Sequence, residues 1–418
     1  MDAALLGEVR EIVDETPAID VHSHLGTNGL WQARDLTDIL HYHWLGMELR
    51  TADCPPAVVH GRDLDPRERV RQTLPFLSAV RNTVNHWAFR GLLRDLYGFE
   101  GDTLREGNWE DVFERVQATA NDAAWIANVL KRGKIEQVCV PYLTAPAGPS
   151  PFFLYEYGEP LYGVGLSGSL DVVERLTDAV IYDGGDLDAA LSRQVERLAT
   201  EHNVRCLHVW MPSSWRYREV STKRASDLIG WLKQGEDLTE ETRNQLASFS
   251  ADVIAREAGE RAMPVQLFHG SVAYGDGPQT AVWEPDWLRR LVGHVARNPR
   301  TPFELFLATR NASHEATILA RMYPNLLVSG GWWHGFTPTT LREFFRDRLE
   351  MLPMTRWNAF YSDGYCIEWV YGKSLVTRNR LAQALAELVA EGLLAKEDVP
   401  EVARQVLYEN PKRYYRLA

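Results

Sequence analysis

Short apolar runs alternate with longer helical patterns along most of this 418-residue chain. The runs are rich in β-branched or aromatic residues and are bounded by glycine, proline or polar residues, which is typical of buried β-strands. In the segments between them, apolar positions recur every three or four residues, which indicates amphipathic helices. The pattern predicts seven strands, at residues 18–24, 135–142, 204–210, 264–269, 303–308, 326–329 and 358–362.

Strands that alternate with helices predict a parallel sheet, because each helix carries the chain back to the edge where the previous strand began. An eighth strand, which we place within residues 161–181, would close the sheet into a (β/α)8 barrel, the TIM barrel. We therefore predict an α/β fold in which residues 1–418 form a single barrel domain. In such barrels the functional residues stand at the C-terminal ends of the strands and in the loops that follow.

Residues 25–129 interrupt this alternation, because they show helical periodicity and contain no convincing strand. An insertion after the first strand lies on the functional face of a barrel, so we predict that this segment forms a helical cap. Residues 146–160 are rich in proline, glycine and aromatic residues, and we predict an ordered loop there.

The composition narrows the classes of protein to which the chain can belong. Hydrophobic residues make up 45% of it and charged residues 24%, as in ordinary globular proteins, which excludes a disordered chain or a coiled coil. The formal net charge is −12, which argues against nucleic acid or an anionic membrane as a partner, because both attract basic surfaces. We expect a small-molecule substrate as the partner, and an acidic barrel with exposed aromatic residues is compatible with a homo-oligomer.

Two further features concern the location of the protein. No stretch of 18 apolar residues occurs, so no membrane span is predicted. The four cysteines are widely separated and form no CxxC pair, so we predict free thiols in a reducing compartment. Together these features predict a soluble, cytoplasmic protein.

The strongest chemical signal is the pair His22 and His24, which follows Asp20 at the end of the first predicted strand. Side chains two residues apart on a strand point to the same face, so both imidazoles can bind one metal ion. With 12 histidines in the chain, roughly a third of one such pair is expected by chance, and His41 and His43 form a second one. The strand-end position of the first pair favours a metal site over two polar groups that are merely satisfied beneath the cap.

Two residues at other strand ends are candidates to complete this metal site. Asp363 directly follows the last predicted strand, where a carboxylate can both bind a metal ion and accept a proton; the alternative is a helix N-cap or turn residue. His269 ends another predicted strand and precedes a glycine. It is a candidate third ligand or acid/base group, and the alternative is a histidine that only ends a strand.

A His-x-His pair on the first strand and an aspartate on the last resemble the pattern of the amidohydrolase superfamily of metal-dependent barrels. The closer resemblance is to uronate (glucuronate) isomerases, and it extends in order over nearly the whole chain. It is carried by the segments His41-Tyr42-His43-Trp44-Leu45-Gly46-Met47, Arg81-Asn82, His86-Trp87, Tyr97-Gly98-Phe99, Gly330-Gly331-Trp332-Trp333 and Tyr408-Glu409-Asn410-Pro411-Lys412-Arg413-Tyr414.

The resemblance implies a metal-dependent enzyme that interconverts the aldose and ketose forms of a uronate or a related sugar acid. It implies that His22, His24 and Asp363 hold a divalent ion, with His269 as a further candidate. Zinc is the preferred ion and manganese, iron and nickel are alternatives, because two imidazoles and a carboxylate suit all four. The other implied site residues are the acid/base or orienting groups His41 and Tyr42, which act with Asp363, and the substrate-binding residues Arg81, Trp332 and Trp333.

Several positions depart from the isomerase pattern. His43 and Leu45 stand where the isomerases have lysine and arginine, and Gly364-Tyr365 follows the last-strand aspartate in place of Ser-Arg. A sugar acid needs a cation for its carboxylate, so an isomerase of this sequence must supply another one, for which Arg81 is our prediction. The changes also keep two alternatives open. One is a metal-dependent hydrolase of the amidohydrolase or lactonase type, and the other is a non-catalytic protein that binds a sugar acid or a metal ion.

Overall fold

The computed structural model describes residues 2–61, 63–145, 150–210, 212, 214–273, 279–281, 286–332 and 335–418. The chain divides into two compact units. Unit 1 consists of Met1–Phe152 and Phe360–Tyr408, and unit 2 consists of Phe153–Ala359 and Glu409–Ala418.

The strands are mostly parallel, as the alternation with helices predicts. The described residues contain β1 (Ala18–Asp20), β2 (Ile135–Pro141), β3 (Phe152–Tyr157), β4 (Val204–Trp210), β5 (Val265–His269), β6 (Ser271–Ala273), β7 (Gln279–Ala281), β8 (Phe303–Leu307) and β9 (Leu326–Gly331). In unit 1, β1 pairs with β2 in parallel. In unit 2, β3, β4, β5, β8 and β9 pair in parallel in that order, and β6 and β7 form an antiparallel pair.

The helices account for most of the remaining chain. They are α1 (Ala3–Glu15), α2 (Leu36–Leu40), α3 (His43–Thr51), α4 (Pro56–His60), α5 (Pro66–Leu77), α6 (Val84–Tyr97), α7 (Trp109–Thr119), α8 (Trp125–Arg132), α9 (Glu159–Tyr162), α10 (Leu170–Thr177), α11 (Gly184–Thr200), α12 (Thr222–Lys233), α13 (Glu240–Glu260), α14 (Trp287–Arg297), α15 (Ser313–Met322), α16 (Pro338–Met351), α17 (Ile367–Ala390), α18 (Val399–Arg404) and α19 (Asn410–Tyr414).

The last predicted strand, at residues 358–362, is not a strand in the structure. The chain passes beside β1 there, and the main-chain N–H groups of Ser362 and Asp363 both donate to the carbonyl of His22, at 3.2 and 3.0 Å. Two donors that share one acceptor do not continue a regular ladder, in which each residue meets its own partner. The other six predicted strands are present; β4 has the predicted bounds, and the other five have shifted ends.

The eighth strand was predicted in the wrong place. Residues 161–181 contain helical turns of α9 and α10, whereas the additional strand is β3, within the segment that we predicted to be a loop. In β3 the buried Phe153 and Tyr155 alternate with more exposed neighbours, which is the pattern of a half-buried strand. Proline and glycine on both sides of this run favoured the loop prediction.

Between β1 and β2 the described residues form α2 to α8 and no strand, as the helical periodicity of residues 25–129 indicates. Within unit 1, the long helix α17 packs against α1 and α6. This packing fixes the start of α17, which lies a few residues after Asp363.

The four cysteines are buried and free, as predicted. Buried thiols of this kind contribute to packing as small apolar groups. In the parts of the chain that the structure describes, no helix is long and apolar enough to cross a membrane.

Candidate metal centre and its cavity

Asp20, the last residue of β1, joins the two chain segments that make up the candidate site. Its buried carboxylate accepts hydrogen bonds from the N–H of Ser362 (2.8 Å), the hydroxyl of Ser362 (2.5 Å) and the N–H of His22 (3.3 Å). Burial raises the pKa of Asp20 to about 7, although these donors act in the opposite direction. The chain after β1 is thereby held beside the segment that leads to Asp363.

His22, His24 and Asp363 come together at this junction. Asp363 Oδ1 lies 3.1 Å from His24 Nε2 and 3.7 Å from His22 Nε2, and one ligand atom from each residue lies within 4.8 Å of the others. His22 and Asp363 are buried, whereas His24 is partly exposed. Two imidazoles and a carboxylate at this spacing fit a divalent metal ion, with access from the side of His24.

Asp363 has a left-handed backbone conformation, with φ of 53°. Such conformations are uncommon outside glycine and occur often at functional sites. Burial by itself would raise the pKa of the Asp363 carboxyl. The hydrogen bond from His24 and the nearby imidazoles of His22 and His43 outweigh burial, so the pKa is lowered. The carboxylate is therefore ionised, which is the form that binds a metal ion.

Aromatic side chains pack against His24 and Asp363. The Tyr365 ring stacks on His24 with centroids 4.7 Å apart, and His43 meets Tyr365 edge to face at 5.2 Å. The hydroxyl of Tyr42 donates to the main-chain oxygen of Asp363 at 2.9 Å. Burial raises the pKa of Tyr42, so this hydroxyl keeps its proton. Tyr42 therefore lies beside the candidate ligand Asp363, and its predicted acid/base or orienting role stays a prediction.

His41 is held on both ring nitrogens. Arg69 Nη2 donates to His41 Nδ1 at 3.0 Å, and His41 Nε2 lies 2.8 Å from the hydroxyl oxygen of Thr73. Because Thr73 donates its own hydroxyl proton to the Arg69 carbonyl, His41 Nε2 is the donor and the ring is neutral. Burial, followed by the charge of Arg69, lowers the pKa of His41 to about 3. These contacts suit an orienting role better than proton transfer.

A cavity of about 540 Å³ in unit 1 lies against these side chains. Its volume is in the usual range for small-molecule sites. Tyr42, His43 and Tyr365, which surround the metal ligands, line it, and so do His41 and Arg69. A small polar molecule in this cavity would therefore contact both the aromatic residues around the candidate metal ligands and the guanidinium of Arg69.

Lys373 of α17 is fully buried behind Tyr42. Its Nζ lies 3.5 Å from the centroid of Trp44 and donates a 3.0 Å hydrogen bond to Asn85, whose amide in turn donates to Glu48 at 2.6 Å. Burial lowers the pKa of Lys373 well below its ordinary value, against the attraction of Asp363 and Glu48. The structure thus places a basic side chain against Trp44, between the two positions where the isomerases have cations and this chain has His43 and Leu45.

Comparison with known proteins finds similarity to uronate isomerases, which the sequence motifs also resemble. No family model matches the chain. The uronate isomerase of Rhizorhabdus wittichii is 30% identical to it over 131 residues, which are 31% of this chain and 28% of that relative. The solved uronate isomerase of Thermotoga maritima has a TM-score of 0.86 at 16% identity and covers 99% of this chain and 98% of its own. The glucuronate isomerase of Caulobacter crescentus has a TM-score of 0.82 at 19% identity, and the coverages are 99% and 94%.

The chain is uronate isomerase-like. The similarity in sequence spans only about 28% of the length of the curated relative, whereas the similarity in fold extends over almost all of both chains. The fold is the TIM-barrel-like fold of these structures, which confirms the predicted fold class.

The remaining predicted site residues of this uronate isomerase-like chain are described within the unit to which each belongs. His269 and Trp332 belong to unit 2, where His269 stacks on Trp287 with centroids 3.5 Å apart and Trp332 contacts Phe268 at 5.0 Å. Trp333 lies outside the described residues. Their roles in metal or substrate binding stay predictions.

Arg81 lies at the surface of unit 1. It is exposed, and its Nε donates to the carbonyl of Ser78 at 3.1 Å. Among the described residues that line the 540 Å³ cavity, the arginines are Arg34 and Arg69, and Arg81 is not one of them. The predicted contact of Arg81 with a substrate carboxylate therefore has no support from its position.

Sequence reasoning did not identify Arg69, Lys373 or Tyr365 as site residues. His43 was noted only as a chance His-x-His partner and as a departure from the isomerase pattern. Arg69 and Lys373 lie in ordinary helical sequence, and nothing local distinguishes them from surface cations. Tyr365 could have been found, because it lies two residues after Asp363.

Proposed function

We propose that the chain is a metal-dependent isomerase that interconverts the aldose and ketose forms of a uronate such as glucuronate. The observation that carries the proposal is the group of His22, His24 and Asp363, in a chain that is similar to uronate isomerases in sequence and fold. A hydrolase could use the same three ligands, so the similarity to isomerases is what favours this reaction.

The three residues would hold the ion through two nitrogen donors and one oxygen donor, a set that suits zinc, with manganese, iron and nickel as alternatives. When bound, a divalent ion would polarise a carbonyl or hydroxyl oxygen of the open-chain sugar. His269 is kept as a candidate further ligand. The identity of the ion is a question for elemental analysis.

Aldose–ketose isomerisation needs a base that removes the proton from C2 and an acid that delivers a proton to C1, through a cis-enediol. The Asp363 carboxylate is ionised, so it is available to take the C2 proton. Tyr42 keeps its phenolic proton and is hydrogen-bonded to the Asp363 main chain, so it orients that residue and faces the cavity. His41, with both nitrogens engaged, holds Arg69 in place.

The direct test is proton exchange at C2 of glucuronate in D2O, followed by NMR with metal-loaded protein. Exchange together with formation of the ketose supports the proposal. If neither occurs while an amide or lactone is hydrolysed, the hydrolase alternative replaces it. Binding of a sugar acid without any turnover would instead indicate a non-catalytic binding protein.

Asp363→Asn is the variant that tests the assigned base. Asparagine is nearly isosteric and still offers one oxygen to an ion, but it accepts no proton, and loss of a general base typically costs about 10²–10⁴ in rate. Binding of a non-reacting sugar acid should change little. A rate within threefold of the wild-type rate would limit Asp363 to a structural role.

Three broader expectations belong to the same proposal. They are a single barrel domain over residues 1–418 with residues 25–129 as its cap, a cytoplasmic location and self-association. Limited proteolysis, cell fractionation and sedimentation velocity test them in turn.

A further inference from the structure

We propose that Ser362 is a positioning residue that sets the affinity of the candidate site for its metal ion. Its hydroxyl group holds the chain around Asp363 in the conformation that presents the carboxylate. This inference rests on the proposed function, because it assumes that His22, His24 and Asp363 bind a divalent ion. Ser362 is not a candidate ligand, and it is 1% exposed, so its hydroxyl group serves contacts within the protein.

The hydroxyl group of Ser362 makes two hydrogen bonds. It donates to Asp20 Oδ2 at 2.5 Å and accepts from the main-chain N–H of Gly364 at 3.0 Å. The second bond closes a turn of the kind that serine forms with the residue two positions later. Asp363 is the residue inside this turn, so the hydroxyl group restricts the main chain on both sides of the candidate ligand.

The turn maintains an unfavourable backbone conformation at Asp363. The φ angle of Asp363 is 53°, and a residue with a Cβ atom keeps such an angle only where the surrounding contacts impose it. The backbone angles of a residue determine the direction of its Cα–Cβ bond. If the turn opened and Asp363 returned to a negative φ, its carboxylate would therefore move away from its place 3.1 Å from His24 Nε2.

Asp20 connects the same hydroxyl group to the segment that carries the two histidines. Asp20 Oδ1 accepts from the N–H of Ser362 at 2.8 Å and from the N–H of His22 at 3.3 Å. The N–H of His24 donates to the carbonyl of Gly364 at 2.8 Å, at the other end of the turn. The Ser362 hydroxyl group thus helps to align all three candidate ligands, from a position outside the metal site.

The glycine that follows Asp363 belongs to the same arrangement. A Cβ atom at Gly364 would lie 3.0 Å from Val370 Cγ2 and 3.2 Å from Ser362 Oγ, which is closer than ordinary contact. A side chain at this position would therefore crowd the hydroxyl group that closes the turn. This is a physical reason for glycine here, where the isomerases that the chain resembles have serine.

The experiment measures the affinity for Zn²⁺ by competition with a chromogenic chelator. It uses the full chain, freed of metal, as wild type, Ser362→Ala and Asp20→Asn. The matched control is Ser374→Ala, because Ser374 is also buried in unit 1 and its hydroxyl group donates to the carbonyl of Tyr371 at 2.7 Å. We expect Ser362→Ala to weaken Zn²⁺ binding about 10–100-fold, the usual effect of losing a residue that orients a ligand, and Ser374→Ala to leave it unchanged.

The visible absorption spectrum of the Co²⁺-loaded protein gives a second readout, because it depends on the arrangement of the ligands. The spectrum should change in Ser362→Ala and Asp20→Asn and should stay as in the wild type in Ser374→Ala. Because Ser362 acts together with Asp20, the losses of affinity in the two variants should not add in the double variant. Additive losses would overturn the route through Asp20.

Thermal melting shows which variants are folded, and Asp20→Asn provides the test if Ser362→Ala unfolds. The proposal is overturned if the folded variants bind Zn²⁺ as tightly as the wild type with an unchanged Co²⁺ spectrum, or if Ser374→Ala loses as much affinity. A wild-type protein that binds no divalent ion would overturn the metal centre and this role together. If Zn²⁺ affinity depends on Ser362 but glucuronate shows no exchange at C2, the positioning role stands and the proposed isomerase reaction fails.

Discussion

The hydroxyl of Tyr42 donates a 2.9 Å hydrogen bond to the main-chain oxygen of Asp363. The bond links the residue before α3 to Asp363, the candidate carboxylate ligand, although the two are far apart in sequence. Its acceptor is a backbone atom, so it controls where Asp363 stands without occupying the carboxylate. The Tyr42 ring also stacks on Trp369 of α17, with centroids 4.4 Å apart, which fixes the hydroxyl in turn.

Tyr42→Phe should keep this stacking and lose only the hydrogen bond. An unsatisfied buried carbonyl costs about 1–3 kcal/mol, so the melting temperature should fall moderately. The rate of C2 exchange should fall about a hundredfold or more if Tyr42 orients Asp363 for proton transfer. Tyr371→Phe is the matched control, because it also removes a phenol–acceptor bond, to Asp95, on the same helix as Trp369. If both variants exchange the C2 proton at the same rate, Tyr42 has no particular role in the reaction.

The cluster of His22, His24 and Asp363 predicts how much metal the protein binds. Protein purified without chelator should contain about one equivalent of divalent metal per chain, and the double variant His22→Ala/His24→Ala should contain much less. The fold should survive, because a chain of this size buries enough apolar surface without a metal ion. His314→Ala, which changes an exposed histidine, should retain the wild-type content. Undiminished metal in the double variant would contradict the assignment.

The lowered pKa of His41 predicts how the stability of the folded protein changes at low pH. Its pKa is about 3 in the folded protein against an ordinary value of 6.5, so the folded state favours the neutral ring. The stabilisation is therefore complete above pH 6.5 and is lost progressively as the pH falls from 6.5 towards 3. Each pKa unit corresponds to about 1.4 kcal/mol. In His41→Gln, whose amide can accept from Arg69 and donate to Thr73, unfolding free energies from urea titrations should fall less steeply over that range. If the unfolding free energies of the wild type and of His41→Gln fall in parallel with pH, His41 is not the titrating group.

Lys373 and Glu48 should be energetically coupled through Asn85. Burial raises the pKa of Glu48, and the interaction with Lys373 acts against that rise. Lys373→Met keeps the packing on Trp44 but removes this interaction, so it should cost on the order of 3 kcal/mol. Glu48→Gln in the same chain should recover part of that loss, because a neutral glutamine needs no cation beside it. A double-mutant cycle by chemical denaturation measures the coupling. If the two changes in the free energy of unfolding are additive, Lys373 and Glu48 do not interact.

The three candidate metal ligands could be chosen from the sequence because their signals are local, and the structure brings them together. His22 and His24 follow a strand with a spacing that determines their common side, and Asp363 follows an apolar run. The parallel α/β fold could be predicted for the same reason, since each strand and helix has its own periodicity. The strand β3 was missed because proline and glycine on both sides resemble loop sequence.

The cavity residues could not be predicted, because their roles depend on tertiary contacts. Arg69 lies in α5 and Arg81 lies in the turn before α6. Arg69 lines the cavity, in the region where α4 packs against α5. Lys373 is similar, because its complete burial follows from the packing of α17 on α6. Periodicity assigns a charged side chain to the solvent face by default.

The hydrogen bonds between Asp20 and Ser362 join positions that are 342 residues apart. During synthesis, both histidine ligands leave the ribosome long before Asp363 does. A nascent chain therefore lacks the carboxylate ligand, and also the serine that holds Asp20, while most of its helices are already made. If the three residues hold a metal ion as we propose, the complete set of ligands is available only after Asp363 has been made. The site would therefore select its ion late in synthesis or after it.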